Sequence, residues 1–204
     1  MRDIRSSWSK NNSNLKNLEK AMQKKIIVAE EGGGLKQTFI FADQIPQRGD
    51  FLVRLKGRKS SAELTFIYIG RKQDAMDLNV TLVHEAPETY GRVTVKAALF
   101  DEAKINFRGM IEIGPDARGA DSYLLAKALL FSPKARVEIH PYLEIKTDEV
   151  KASHGSSVGR IDKRQLFYMQ SRGLELEEAQ NIILAGFFGE FTPKILLLLR
   201  RQEI

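Results

Sequence analysis

The chain has 204 residues, 43% hydrophobic and 28% charged, enough apolar chain for one large domain or two small ones. It has no cysteine, which excludes disulfides and thiolate metal sites supplied by this chain alone. Seven Lys/Arg against two Asp/Glu put +5 of the formal +6 charge in residues 1–25, so the basic folded face of a nucleic-acid binder is not expected.

Residues 1–14 show no periodic apolar pattern. Leu15, Leu18 and Met22 recur at i, i+3 and i+7 and predict a short amphipathic helix over residues 15–25. Gly32, Gly33 and Gly34 lack the Gly-x4-Gly-Lys-Ser/Thr spacing of a phosphate loop and read as a hinge. From residue 37 to 150 the chain turns to β. The stretches QTFIF, GDFLVRLKG, AELTFIYIG, MDLNVTLVHEA, GRVTVKAALF, AKINFRGMIEIG, SYLLAKALLF and RVEIHPYLEIKT alternate apolar and polar residues. Gly, Pro, Asp or Asn punctuates them at intervals of roughly 12–18 residues.

These stretches also look like one another. DEAKINFRGMIEIG and SPKARVEIHPYLEIKT each read as a small residue and a base, a strand, a short break and a second strand, with Ala103 and Ala135 32 residues apart and Ala117 between them. A recurring strand–corner–strand unit predicts a solenoid, because each unit buries a face only against its neighbours. A parallel β-helix is preferred to a sandwich.

VKASHGSSVGRID (150–162) follows, with His154 set among small residues and no aliphatic pattern. Asp162 and Gln165 then form a capping pair for a helix that Gly173 ends in a left-handed conformation. In the next helix Ile183, Phe187 and Phe191 recur at i, i+4 and i+8. Thr192 and Pro193 read as the N-cap and first turn of a last helix, KILLLLRRQEI. The plan is a basic N-terminal arm with a short helix and Gly hinge (1–34), a β-helix core (35–159) and a C-terminal helical subdomain (160–204). No apolar run reaches the roughly 18–20 residues that span a bilayer, and the N-terminus lacks the apolar stretch of a signal peptide. A cytoplasmic protein is expected, with neither membrane nor nucleic acid as its partner.

Within residues 35–190 stand Leu-Leu-x-Ser-Pro-x-Ala (129–135), Pro-x-Leu-Glu-Ile (141–145), Asp-x-Val (148–150), Ser-His-Gly (153–155), Gly-x-Ile-Asp (159–162) and Leu-Phe-Tyr-x-x-Ser-Arg-Gly (166–173). His-x-Ala-x-x-Thr (84–89) and Phe-x-Gly-x-Ile (107–111) precede them. These linked pieces resemble the SufB/SufD family of iron–sulfur cluster assembly scaffold proteins, with the nearer likeness to its SufD branch. The resemblance implies a right-handed parallel β-helix with a C-terminal helical subdomain. It also implies pairing through the β-helix, as a homodimer or as a heterodimer with a SufB/SufD-type paralogue. An ABC-type, SufC-like ATPase would be held by the helical tail. The chain would be a scaffold and not an enzyme. Ala152 stands where SufD proteins often carry a cysteine, so any cluster would be transient and shared with a partner that supplies thiolates.

By this resemblance His154 is the candidate ligand for a nascent cluster at the dimer interface, imidazole being a known iron ligand. The alternative is that His154 caps the last turn of the solenoid through a backbone hydrogen bond. His84 and His140 read as structural, since no His-x3-His or His-Glu-x-x-His spacing joins the three. Leu166, Phe167, Ile183, Phe187, Phe188 and Phe191 are the candidate partner-binding residues; the core of a helical hairpin is the plainer reading of the stripe. An acidic groove of Glu112, Asp116 and Asp121, as in β-helical polysaccharide-cleaving enzymes, is the less favoured enzymatic reading. Another class of function stays open: an adaptor that binds the ATPase and holds no cluster.

Overall fold

The computed structural model describes residues 22–42, 45–193 and 195. Ten strands form two parallel sheets. Sheet A stacks β1 (Met22–Ala29), β3 (Arg48–Leu55), β5 (Ala75–His84), β7 (Lys104–Ile113) and β9 (Arg136–Ile145). Sheet B stacks β2 (Gly34–Phe41), β4 (Ser61–Gly70), β6 (Tyr90–Leu99), β8 (Asp121–Leu130) and β10 (Lys151–Arg160). Each coil contributes one strand to each sheet, which is the expected parallel β-solenoid. Lys104 pairs with Arg136, so the 32-residue step between Ala103 and Ala135 is one full coil, and both alanines are buried at corners.

Strand alternation becomes inside and outside because successive side chains point to opposite faces. Phe51, Val53 and Leu55 of β3 face Ala62, Leu64, Phe66 and Tyr68 of β4 within one buried cluster. Phe39 stacks on Phe66 with ring centroids 5.0 Å apart, and Phe51 meets Phe66 edge-on at 4.8 Å. Tyr68 donates its hydroxyl hydrogen to the Lys104 carbonyl at 2.9 Å. Burial holds that phenol protonated well above its ordinary range.

Several corners turn through a left-handed residue. Gly32, Lys59, Glu88 and Gly119 all have φ between 58° and 73°. They stack, their N–H groups donating to Arg58, Pro87, Arg118 and Glu149 carbonyls of the next coil at 2.7–3.1 Å. Lys72 and Asp101 are left-handed at another corner, with φ of 52° and 47°, and there the Lys72 N–H donates to the Asp101 carboxylate of the next coil at 2.8 Å. A side chain in this region is disfavoured by roughly 1–2 kcal/mol. Lys72→Gly is therefore expected to stabilise the fold by about 0.5–1 kcal/mol net of glycine's entropy, read from the denaturant midpoint; a lowered midpoint would contradict this account of the corner.

Several expectations need correction. The helix over residues 15–25 does not extend to its last four residues, which lie in β1; residues 15–21 lie outside the described residues. Ladder pairing of Met22–Ala29 with β3 outweighs a weak helical period. The glycine run is a corner between β1 and β2 and not a hinge. Gly109 and Pro141 do not break their strands: each lies inside a continuous ten-residue strand, paired with the other, and β9 is an edge strand where proline is tolerated. Residues 151–160 form a full strand although they lack an aliphatic pattern.

Two helices follow, α1 (Lys163–Ser171) and α2 (Leu176–Phe188). Asp162 caps α1, its carboxylate accepting from the Arg164 N–H at 2.8 Å, and Gly173 leaves with φ 91°. The Glu178 carboxylate accepts from the Glu175 N–H at 2.9 Å to start α2, and Gly189, φ 63°, ends it. Thr192 does not cap a following helix. Its backbone is helical and its hydroxyl donates to the Ala185 carbonyl of α2 at 3.0 Å. The remainder of the last expected helix lies outside the described residues, apart from the helical Ile195.

Candidate functional site: the open end of the coil and the helical tail

β10 pairs with β8 in a register that sets His154 beside Leu124. Leu124 pairs with Val93 and Val93 with Leu64, all three buried in the bore. His154 thus stands in an inward-facing column. It is nevertheless exposed, because the ladder ends at β10 and no coil of the described residues lies above it. Ala152, Ser156, Val158 and Arg160 share its side of β10, continuing the columns of Ser122, Ala126, Ala128 and Leu130. Across the mouth, Val137, Ile139, Pro141, Leu143 and Ile145 of β9 continue the columns of Ile105, Phe107, Gly109, Ile111 and Ile113. The last layer is a mainly apolar platform, with Val158 and Ile145 about half exposed, and it carries one imidazole.

Among the described residues two strand edges end at this platform, where β9 and β10 present backbone donors and acceptors to which another chain can pair. Among the described residues the His154 side chain makes no hydrogen bond, so it does not cap the coil. On the opposite face of β10, Gly155 lies against Tyr123; a Cβ there would sit 2.8 Å from the phenol oxygen.

The other histidines stand apart. His84 is fully buried inside the bore, and His140, on the outer face of β9, lies 3.4 Å from Glu138. Among the described residues no three His, Asp or Glu side chains converge on a metal-sized site. Of the acidic trio, Glu112 pairs with Lys146 on the outside of sheet A, and Asp121 with Arg92 at 2.7 Å beside sheet B. They do not form a groove. Against the four ligands that an iron–sulfur cluster usually takes, this end of the chain offers one.

The tail lies on the outside of sheet B. Ile67, Ile69 and Ala98 turn outward from β4 and β6 and pack with Leu184, Phe188 and Ile195 in a second buried cluster, separated from the bore by the sheet itself. Phe187 and Phe191 flank it, partly buried. The buried face of α2 is Ala179, Leu184 and Phe188, not the expected Ile183–Phe187–Phe191 stripe; Phe191 lies beyond the helix in a short 3-10 turn. Phe188 is only 1% exposed and is unavailable to a partner. Ile183 and Leu166 are partly buried, whereas Phe167 is 73% exposed.

Lys96 was not singled out by any motif. Its ammonium donates to the Phe187 carbonyl at 3.0 Å and the Phe188 carbonyl at 3.4 Å, at the negative end of α2. Burial, and then Lys127 one coil on, hold it below the ordinary lysine range, while Glu190 pulls the other way. Among the described residues no helix is long and apolar enough to cross a membrane.

Residues 8–187 match the family described as SUF system FeS cluster assembly, SufBD core domain. The iron–sulfur cluster assembly protein SufD of Escherichia coli (strain K12) is 29% identical over 170 residues, 83% of this chain and 40% of that protein. An iron–sulfur cluster assembly SufBD family protein of Mycobacterium leprae is 33% identical over 160 residues, 74% of this chain and 41% of the relative. The iron–sulfur cluster assembly protein SufB of Bacillus subtilis is 30% identical over 141 residues, 69% of this chain and 30% of the relative. The chain thus spans between 30% and 41% of the length of these curated relatives.

Proposed function

The chain belongs to the SufBD core family of the SUF system for iron–sulfur cluster assembly, and on that premise we propose that it is a non-catalytic scaffold subunit. The open end of its solenoid pairs with a second family member, either a copy of itself or a paralogue. A nascent cluster is the cargo of that interface. His154 supplies one ligand, and the partner or a small thiol supplies the sulfur ligands that this chain lacks. The tail holds a SufC-like ATPase, whose closure on ATP shifts the paired scaffolds and reshapes the interface near His154. No step requires this chain to catalyse a reaction alone.

The observation that carries this reading is the placement of His154: one imidazole, inward in register, exposed where the stack of described strands stops. An apolar terminal layer with two free strand edges favours addition of another chain over exposure to water. The absence of cysteine and of any converging ligand set among the described residues favours the second reading, an adaptor that holds the ATPase but no cluster.

Co-expression with the ATPase and a cysteine-bearing paralogue from the same genome, followed by anaerobic purification, separates the two. His154→Ala is expected to leave the complex intact and to lower bound iron and sulfide by at least about half, since one ligand of roughly four is removed. Unchanged iron and sulfide would leave the adaptor.

A further inference from the structure

α2 does not seal the whole of its seam with the solenoid. Beside the buried Leu184, a cavity of about 330 Å³ stays open between the helix and two stacked corners. Glu177, Gln180 and Asn181 line it from α2, and Arg71, Phe100 and Asp101 line it from the corners that follow β4 and β6. The Arg71 guanidinium lies over the Phe100 ring at 5.2 Å, and Phe100 stacks on Phe131 one coil on, with centroids 4.4 Å apart. The Arg71 backbone N–H donates to the Asp74 carboxylate at 2.9 Å. Backbone and ring thus hold the cation in place before anything binds.

A guanidinium partly withdrawn from water needs acceptors. Arg71 has none among the described residues: its Nε is buried without a partner, and no carboxylate pairs with its terminal nitrogens. Asp101, on the same wall, accepts from the Lys72 N–H at 2.8 Å. The side chains of Glu177, Gln180 and Asn181 make no hydrogen bond or ion pair among the described residues. One cation, one uncommitted carboxylate, two uncommitted amides and an apolar floor of Leu184 and Phe100 therefore meet in a cavity at the lower end of the size range for small ligands. We propose that it binds a free α-amino acid with a small polar side chain. The terminal nitrogens of Arg71 take the α-carboxylate, Glu177 takes the α-ammonium, and Gln180 and Asn181 pair with the side chain. Two carboxylates against one guanidinium turn away phosphate and other polyanions, whereas a zwitterion satisfies both signs. Half of the site belongs to α2 and half to the solenoid, so the bound molecule favours the docked tail. The site is independent of cluster and ATPase alike.

The test uses the full chain, with L-asparagine and L-glutamine as probes, in calorimetry and amide hydrogen exchange. At least one of them is expected to bind with a Kd below about 1 mM. At about ten times that Kd it is expected to slow exchange across residues 176–188 about tenfold. Arg71→Gln is expected to weaken binding at least about 30-fold. Glu177→Gln is expected to weaken it about tenfold and to leave the thermal midpoint of the unliganded chain unchanged, because Glu177 is exposed and unpaired among the described residues. N-acetyl-L-asparagine and N-acetyl-L-glutamine, which keep the carboxylate and lack the ammonium, are each expected to bind about tenfold more weakly than the free amino acid. No binding of either free amino acid at about 10 mM would overturn the site. Binding that either substitution leaves unchanged would overturn its placement in this cavity. Equal affinity for the free and N-acetyl forms would give the cavity to a carboxylate alone, such as a peptide C-terminus, and overturn the zwitterion. Displacement of the probe by about 10 mM inorganic phosphate would mark a general anion site and do the same.

Discussion

Phe188→Ala is expected to destabilise the docked tail by about 3–5 kcal/mol, the range for removing a buried phenylalanine ring. The loss is local. Phe188 belongs to the cluster between α2 and the outer face of sheet B, while the bore is filled by a separate set of side chains. The two clusters share the sheet but no buried side chain, so they define two units of stability. When the ring goes, the α2 terminus withdraws and the Phe187 and Phe188 carbonyls leave the Lys96 ammonium. Amide hydrogen exchange is expected to quicken across residues 176–188 and to stay slow across β4, β6 and β8. Uniform quickening would show that tail and solenoid unfold as one, and would refute the separation. The seam also bears on truncation. Cutting the chain before α1 would uncover Ile67, Ile69 and Ala98, so loss of partner binding by a truncated chain would not distinguish a missing docking helix from an aggregating sheet.

Acid is expected to weaken the solenoid through His84. The Thr89 hydroxyl donates to the Ala86 carbonyl at 3.1 Å, so its oxygen must accept from His84 Nδ1–H, 2.8 Å away. That fixes the neutral tautomer with the lone pair on Nε2, which is buried without a partner. Gly91 makes the room: a Cβ there would lie 2.8 Å from Nε2 and 2.5 Å from Leu82. Burial first, and Arg92 next, lower the His84 pKa from 6.5 to about 4, with Asp121 opposing. The unfolded chain therefore binds a proton that the native bore refuses. The stabilisation is whole above pH 6.5 and is lost as pH falls towards 4, by about 2 kcal/mol between pH 7 and pH 5. Glu88, held low mainly by its hydrogen bond to Arg58, and Glu102, held low mainly by its hydrogen bond to Lys134, lose stabilisation in the same direction at lower pH. The measurement is hence a difference: denaturant midpoints of the unaltered chain and of His84→Gln, at pH 7 and pH 5. Equal slopes with pH in the two proteins would exclude His84 as the source.

Much of this fold was legible in the residues. Alternation in AELTFIYIG or GRVTVKAALF states which side chains share a face, because the strand period is two whatever the neighbours are. The interval from Ala103 to Ala135 is the length of a coil, because small buried residues recur where the corners stack. Asp162 and Gly173 mark the ends of α1 through local hydrogen bonds and a local φ, which need no tertiary partner.

Other features were not legible, for an equally physical reason. β10, unlike β9 across the mouth, carries small and polar residues with no apolar alternation by which to recognise it, and the inward column of His154 appears only once the register with β8 is set, a long-range pairing. Gly109 and Pro141 read as breaks because their own preferences oppose a strand, but the ladders on which they lie hold them extended. The helix period of α2 allowed several faces to be buried. The outward Ile67, Ile69 and Ala98 chose the one bearing Leu184 and Phe188, and so left Phe167 and Tyr168 of α1 exposed. What sequence alone determined was the period and the ends of the elements, since these depend on short-range sterics and hydrogen bonds. What tertiary structure decided was which residues meet and which remain in water, since burial belongs to pairs of surfaces distant along the chain.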